Sequence, residues 1–226
     1  MCYTVEQLEH RVERKAVRDR ILKEGQLAID FHAVNAFTHP QLWVMTGEQP
    51  YRFRKMRWGL IPSWCKDAEK AKDIRDYTAN AKSETVFEKP SFRSILKRRC
   101  VLPVGGFYEW MEFRKKKYPH YIFPAEGELF SLGCLWDSWV DTETGEIQDT
   151  FSVITTAANS LMERIHNVKK RMPLILREAD ERRWVDPELT REGIGELMKP
   201  YDAKWMRAHT ISKRITSRTE NPNVPE

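Results

Sequence analysis

Residues 100–158 read CVLPVGGFYEWMEFRKKKYPHYIFPAEGELFSLGCLWDSWVDTETGEIQDTFSVITTAA, and this stretch decides the fold class. CVLPV is a short continuous apolar run, the pattern of a strand covered on both faces. Gly105-Gly106 behind it marks a turn or a close approach of backbone. FYEWMEF and YPHYIF flank the basic run RKKK at 114–117, which predicts a hairpin with a solvated basic tip. LFSLGCLWDSWV and DTFSVITTAA flank DTETGE and predict a second hairpin. Short connections of this kind join antiparallel strands, because parallel neighbours need long crossovers.

Toward the amino terminus, LWVMT (42–46) and residues 51–61 read as strands. Ser91 reads as the N-cap of a short helix over FRSILKRR. Residues 5–23 read as a helix, since Val5, Leu8, Val12 and Ala16 recur at helical spacing among charges. Toward the carboxyl terminus, Asn159 would cap a helical turn, SLMERIH, and RMPLIL reads as a strand. EADERRW and TREGIGELMK read as helices, WMRAHTISKRI as a late strand, and residues 219–226 as a loose tail. Strands in the middle with helices at either end predict an α+β protein. The expectation is one domain over residues 1–226, with mainly antiparallel sheets curled into a barrel and flanking helices.

A chain of 226 residues with net charge +5 suits one sizeable domain and favours a polyanionic partner. Its eight Trp and seven Tyr add faces on which single-stranded bases can stack. There is no apolar run of about eighteen residues, so no membrane association is expected. The opening MCYTVEQLEHRVERKAVRDR lacks the apolar segment of a secretory signal, so cytoplasmic residence with reduced thiols is expected. The cysteines at 2, 65, 100 and 134 make no CxxC pair, and the six His show no ligand spacing. Neither a metal nor a cofactor is therefore expected. Cys100 and Cys134 sit in apolar runs that predict plain burial.

Cys2 stands apart from those two by position. Removal of Met1 would leave an α-amine and a thiol on one residue. Their ordinary pKa values, about 7.7–8.0 and 8.5, make both groups partly nucleophilic near neutrality. A 1,2-aminothiol condenses with an aldehyde to an imine and then closes a thiazolidine ring. An internal cysteine cannot make that ring.

Four blocks then stand in order: Met1-Cys2, RWGLIPSW (57–64), NAKSETVFEKPSFRSILKRRCVLPVGGFYEW (80–110) and TTAANSLMERIHNVKKRMPLIL (155–176), with a weaker echo in HTISKRI (209–215). Together they resemble the SRAP family, the SOS-response-associated peptidase or abasic-site-processing proteins. The resemblance implies a sensor that crosslinks covalently to abasic sites in single-stranded DNA through Cys2 and so shields the lesion. It also implies lyase-like chemistry and self-removal of Met1.

The implied roles follow position by position. Cys2 matches the nucleophile and Asn80 the residue that positions its amine. Glu109 matches the catalytic acid. His166 matches the His that assists opening of the abasic sugar and later proton transfers. DNA contacts are expected from Arg57, Trp58, Trp64, Lys82 and Arg171, with further phosphate contacts from Arg52, Arg54 and residues 97–99. The partner is abasic single-stranded DNA, the protein a monomer, and its place the cytoplasm at nucleoid-associated damage.

This chain departs from the family's usual Met-Cys-Gly-Arg opening by carrying Tyr3 and Thr4, and it carries Lys82 where the family has Arg. Lys cannot make a bidentate fork, so DNA affinity is the property these changes touch. Two other functions fit the same residues. One is an N-terminal-nucleophile or Cys-dependent peptidase or amidase built on Cys2, Asn80, Glu109 and His166, and the other a non-covalent binder of single-stranded nucleic acid.

Overall fold

The computed structural model describes residues 2–23, 31–48 and 51–216. Met1 and the predicted tail at 219–226 lie outside the described residues. The first half of the chain forms β1 (Thr4–Gln7), α1 (Glu9–Asp19), β2 (Leu22–Lys23), β3 (Phe31–Asn35), β4 (Gln41–Thr46), β5 (Arg52–Trp58), α2 (Ala68–Tyr77), β6 (Asn80–Lys82) and β7 (Arg99–Val104). Then come β8 (Gly106–Phe113), β9 (Lys116–Pro124), β10 (Phe130–Val140), β11 (Ile147–Ala157), α3 (Ser160–Ile165), β12 (Arg171–Pro173), β13 (Ile175–Leu176), α4 (Glu178–Val185), α5 (Arg191–Leu197) and β14 (Met206–Thr210).

Strands β5, β4, β7, β10 and β11 pair antiparallel in that order, and β11 returns to β5 through Thr150↔Arg57 and Phe151↔Trp58. The result is a closed barrel. Its seam is parallel because an odd number of strands cannot alternate direction all the way round. A second sheet, ordered β14-β9-β8-β1-β3, lies at the barrel's side. The α+β barrel expected from the hairpins is borne out, and both hairpins form, the second with its turn over 141–146 as predicted and the first with Lys116 and Lys117 of the basic run already paired in β9. The basic tip turns on Arg114 and Lys115, both at positive φ (49° and 60°).

Strand periodicity divides the core in two. Leu42, Val44, Met56, Trp58, Cys100, Leu102, Leu132, Cys134, Phe151 and Val153, drawn from all five barrel strands, share one buried cluster. Their alternating neighbours Trp43, Met45, Phe53, Val101, Leu135 and Ile154 face a second cluster, which α1, α4 and α5 cover with Val12, Trp184 and Ile194. Cys2, Val5 and Phe107 join the first cluster, so the start of the chain is buried against the barrel interior. Gly105-Gly106 is where the chain leaves the barrel for the second sheet, and the close approach predicted there is real. A Cβ on Gly105 would lie 1.9 Å from Glu6 Oε2.

Four local expectations need correction. The helix begins at Glu9, and Thr4–Gln7 is a strand. All four strand residues are buried, with Thr4 opposite both Asn35 and Tyr108, which a helix showing one face could not achieve. Residues 91–98 form successive turns, not a helix. Phe92 N–H donates to Lys89 O, Ile95 N–H to Phe92 O and Arg98 N–H to Ile95 O, while Phe92 and Ile95 are buried at a three-residue spacing. RMPLIL breaks at Leu174, whose N–H donates to Ile154 O, into β12 on β11 and β13 on β10. In WMRAHTISKRI only Met206–Thr210 is extended, and 3₁₀ turns precede and follow it. Helix α2 goes unread because it buries only Ala71 and so has almost no apolar stripe. Its signal was Asp67, which caps it by accepting from Glu69 N–H and Lys70 N–H.

Candidate functional site

Cys2 is separated from β1 by Tyr3 alone and is fully buried. Burial pushes its thiol pKa well above the ordinary thiol value, and the nearby Glu109 carboxylate pushes it further. The pairing Thr4↔Tyr108 brings the chain start alongside β8, where Glu109 follows Tyr108. Glu109 is 4% exposed, and burial raises its pKa from 4.5 to about 7. Strand β8 places it by alternation, with no flexible loop involved.

His166 ends α3, which Asn159 caps as predicted by accepting Met162 N–H at 2.9 Å. Its Nδ1 lies 2.9 Å from Arg171 O and 3.7 Å from Glu109 Oε1. A carbonyl can only accept, so Nδ1 carries the proton and Nε2 is the acceptor in the neutral ring. Burial lowers the His166 pKa below its ordinary value and favours that neutral form. A carboxylic acid poised near neutrality thus lies beside an imidazole held neutral in one tautomer.

Tyr3 stands between two clefts. One, of about 370 Å³, is lined by Tyr3, Glu109, Trp110, His166 and the cations Lys117 and Lys169. The other, of about 530 Å³, is lined by Tyr3, Phe37, Asp76, Tyr77 and Asn80. Asn80 opens strand β6, which runs parallel to β11 through Asn80↔Val153. Its Nδ2 and Oδ1 are both buried without a hydrogen-bond partner among the described residues. Buried amides are nearly always satisfied, so an idle one at a cleft wall is poised for a ligand.

The structure brings Cys2, Glu109 and His166 together, and sets Asn80 on the far side of Tyr3. It scatters the expected DNA contacts. Trp58 is fully buried, with Nε1–H donating to Ala79 O at 2.9 Å and its ring stacked on Phe151, so the structure assigns it to the barrel interior and not to the surface. Trp64 is half exposed and Lys82 exposed. Arg57 is half-buried and donates to His39 O at 3.1 Å. Arg171 is held by Glu84 and by Thr155 O. Of the basic run at 97–99, Arg99 is 1% exposed and donates to the carbonyls of Leu96, Trp184 and Asp186, while Arg98 pairs with Asp137. Sequence reading missed Lys117, Lys169, Phe37 and Tyr77 as cleft residues. Their one available signal was Tyr3, whose neighbours they are.

Among the described residues no group of three or more His, Cys, Asp or Glu could hold a metal ion. No helix there is long and apolar enough to cross a membrane.

Residues 1–218 match the family described as SOS response associated peptidase (SRAP). The chain is 36% identical over 206 residues to the abasic site processing protein YoqW of Bacillus subtilis, covering 90% of this chain and 88% of that protein. It is 36% identical over 193 residues to the abasic site processing protein HMCES of Xenopus tropicalis, covering 76% of this chain and 55% of that longer one. A crystal structure of a Bacteroides thetaiotaomicron protein superposes with TM-score 0.92 at 37% identity, covering 99% of this chain and 97% of that one.

Proposed function

Because the chain belongs to the SRAP family, we propose that it processes abasic sites in single-stranded DNA by forming a thiazolidine between Cys2 and the lesion aldehyde. The observation that carries this reading is the pairing of a buried Glu109, protonated up to about pH 7, with a neutral His166 in the cleft beside the start of the chain.

The abasic sugar is mostly a closed hemiacetal. His166 Nε2 takes the proton of the anomeric hydroxyl and returns it to the ring oxygen as the C1′–O4′ bond breaks, which frees the aldehyde and leaves the imidazole neutral. The α-amine of Cys2, free once Met1 is gone, attacks C1′ to give a carbinolamine. The Asn80 amide, with its idle acceptor and donors, would orient that amine across the Tyr3 boundary. Glu109 protonates the departing hydroxyl, so water leaves, and its carboxylate takes back the nitrogen proton to give the imine. The thiol then adds to the imine carbon, and its proton ends on the ring nitrogen. The net change is amine plus thiol plus aldehyde to thiazolidine plus water. Burial sets the order: a thiol held protonated attacks second, after the amine has made the more electrophilic imine. The same burial disfavours a Cys-dependent peptidase, which needs a thiolate.

The test is a denaturing gel of abasic single-stranded DNA with protein shown by intact mass to begin at Cys2. The expected result is a covalent band lost in Cys2→Ser. Its absence with wild-type protein would overturn the proposal, and tight binding without a band would favour a non-covalent module. The reading carries with it a monomeric protein acting on DNA in the cytoplasm.

A further inference from the structure

We infer that Tyr3, Phe37 and Tyr77 form a stacking platform for the nucleobase adjoining the abasic sugar, an inference that rests on the abasic-site reading above. Tyr3 and Phe37 already stack, with ring centroids 4.8 Å apart and planes inclined by 28°. The pair is held from the backbone: Ala36 N–H donates to Tyr3 O at 2.8 Å, and Asn35 Oδ1 accepts Phe37 N–H at 2.9 Å. Phe37 is nevertheless 59% exposed. Tyr77 ends α2 and is 87% exposed, although Thr78 beside it is anchored through Oγ1 to Leu60 O at 2.6 Å. Tyr3 packs partly against the barrel core and so fixes the platform, while the rings of Phe37 and Tyr77 face solvent, and all three line one cleft with the idle Asn80 amide.

Charge separates the two clefts. The Asn80 cleft is lined by no cation and by one carboxylate, Asp76, whose Oδ1 accepts from His39 Nε2–H at 2.8 Å. A phosphate gains nothing there, whereas a base gains a stack. The Glu109 cleft carries Lys117 and Lys169 beside the carboxyl groups of Glu109 and Glu112, and its two cations suit the backbone phosphate leading away from the lesion. The strand would therefore cross Tyr3 with a base stacked on one side and charge contacts on the other. That division gives a use to Tyr3, which stands where the family's glycine does.

The experiment uses protein that begins at Cys2 and three single-stranded oligonucleotides. Each has one abasic site, with both neighbouring bases present, or with a tetrahydrofuran spacer at the 5′ or at the 3′ neighbour. For the wild type, one of the two spacers should raise the half-saturating DNA concentration about tenfold, the worth of one lost base–aromatic contact. The crosslinking rate at saturation should change little. Phe37→Leu and Tyr77→Ala should erase that discrimination, and Tyr77→Phe should restore it, because the ring and not the hydroxyl is used. Equal half-saturation on all three oligonucleotides, or variants that discriminate as the wild type does, would overturn the platform. Fluorescence anisotropy of the same oligonucleotides reads stacking without chemistry. Spacer-sensitive binding with no adduct would retain the platform and reject covalent capture.

Discussion

Two buried carboxylates divide this protein's polar interior. Glu181, 5% exposed, lies under α1, where Lys15 Nζ donates to both of its oxygens at 2.7 and 3.0 Å and Ser131 Oγ–H donates as well. Lys15 is itself 3% exposed and also reaches Asp19 at 2.9 Å. Glu109, 4% exposed, takes a pKa of about 7 because burial outweighs the pull of the positive charges near it, Lys169 among them, and His166 lies at 3.7 Å. Equal burial thus has opposite meanings. One carboxylate is clamped by a cation and a hydroxyl and holds a helix to the barrel. The other is left near its protonation point, where it can give up and regain a proton.

Breaking the comparison at its centre gives the largest effects. Glu109→Gln keeps the shape and removes the proton, so crosslinking should slow on the order of a hundredfold or more in a gel time course. The same variant should be more stable above neutrality. A raised carboxyl pKa means that the fold loses stability as pH rises from about 4.5 through about 7, a cost approaching about 3 kcal/mol that the amide does not carry. Denaturant titrations should therefore separate variant from wild type at pH 8 and bring them together below pH 4. Glu181→Gln should do the reverse. It should cost about 3 kcal/mol by breaking a buried ion pair and leaving Lys15 with Asp19 as its remaining carboxylate partner, with crosslinking per folded molecule unchanged. Loss of crosslinking in Glu181→Gln at full stability would collapse the distinction.

The pH profile of capture sharpens the same contrast at smaller amplitude. Glu109 must be protonated, so the rate should fall as pH rises past about 7. His166 must be neutral, and because burial lowers its pKa the acid limb should lie below the ordinary histidine value. The attacking amine gains from rising pH up to about 8, which leaves a maximum near neutrality. Glu109→Gln should lose the limb near pH 7 from its residual rate. A limb unmoved by that change would assign it to another group.

Much of this contrast was legible beforehand, and the remainder had physical reasons to hide. The hairpins of residues 106–157 announced themselves by alternation and turn chemistry, and the barrel followed. Asn80, Glu109 and His166 were readable only through the ordered blocks in which they stand. Nothing local in FYEW says that Glu109 is buried, because that depends on Cys2 and β1 arriving from the far end of the chain. Trp58 was misplaced for a similar cause: its ring looks like a surface wedge until the parallel seam with β11 closes over it. Arg99 looked like a phosphate contact until the α4 carbonyls supplied its partners.

The smallest effect tests the comparison on two asparagines. Asn159 Oδ1 accepts Met162 N–H at 2.9 Å, and its Nδ2 donates to Tyr201 O at 2.6 Å. Asn80 makes no side-chain hydrogen bond among the described residues. If idle buried polarity marks a site and satisfied polarity marks the scaffold, the two should answer oppositely to the same substitution. Asn159→Ala should cost about 1 kcal/mol or more as a lost helix cap, with capture kinetics intact. Asn80→Ala removes a buried amide that stabilises nothing, so stability should hold within about 0.5 kcal/mol or rise slightly, while capture slows. Chemical denaturation beside a crosslinking time course on both variants reads the contrast directly. A stability loss in Asn80→Ala as large as in Asn159→Ala would mean that the amide is part of the scaffold, and that orientation of the Cys2 amine must be sought in another side chain.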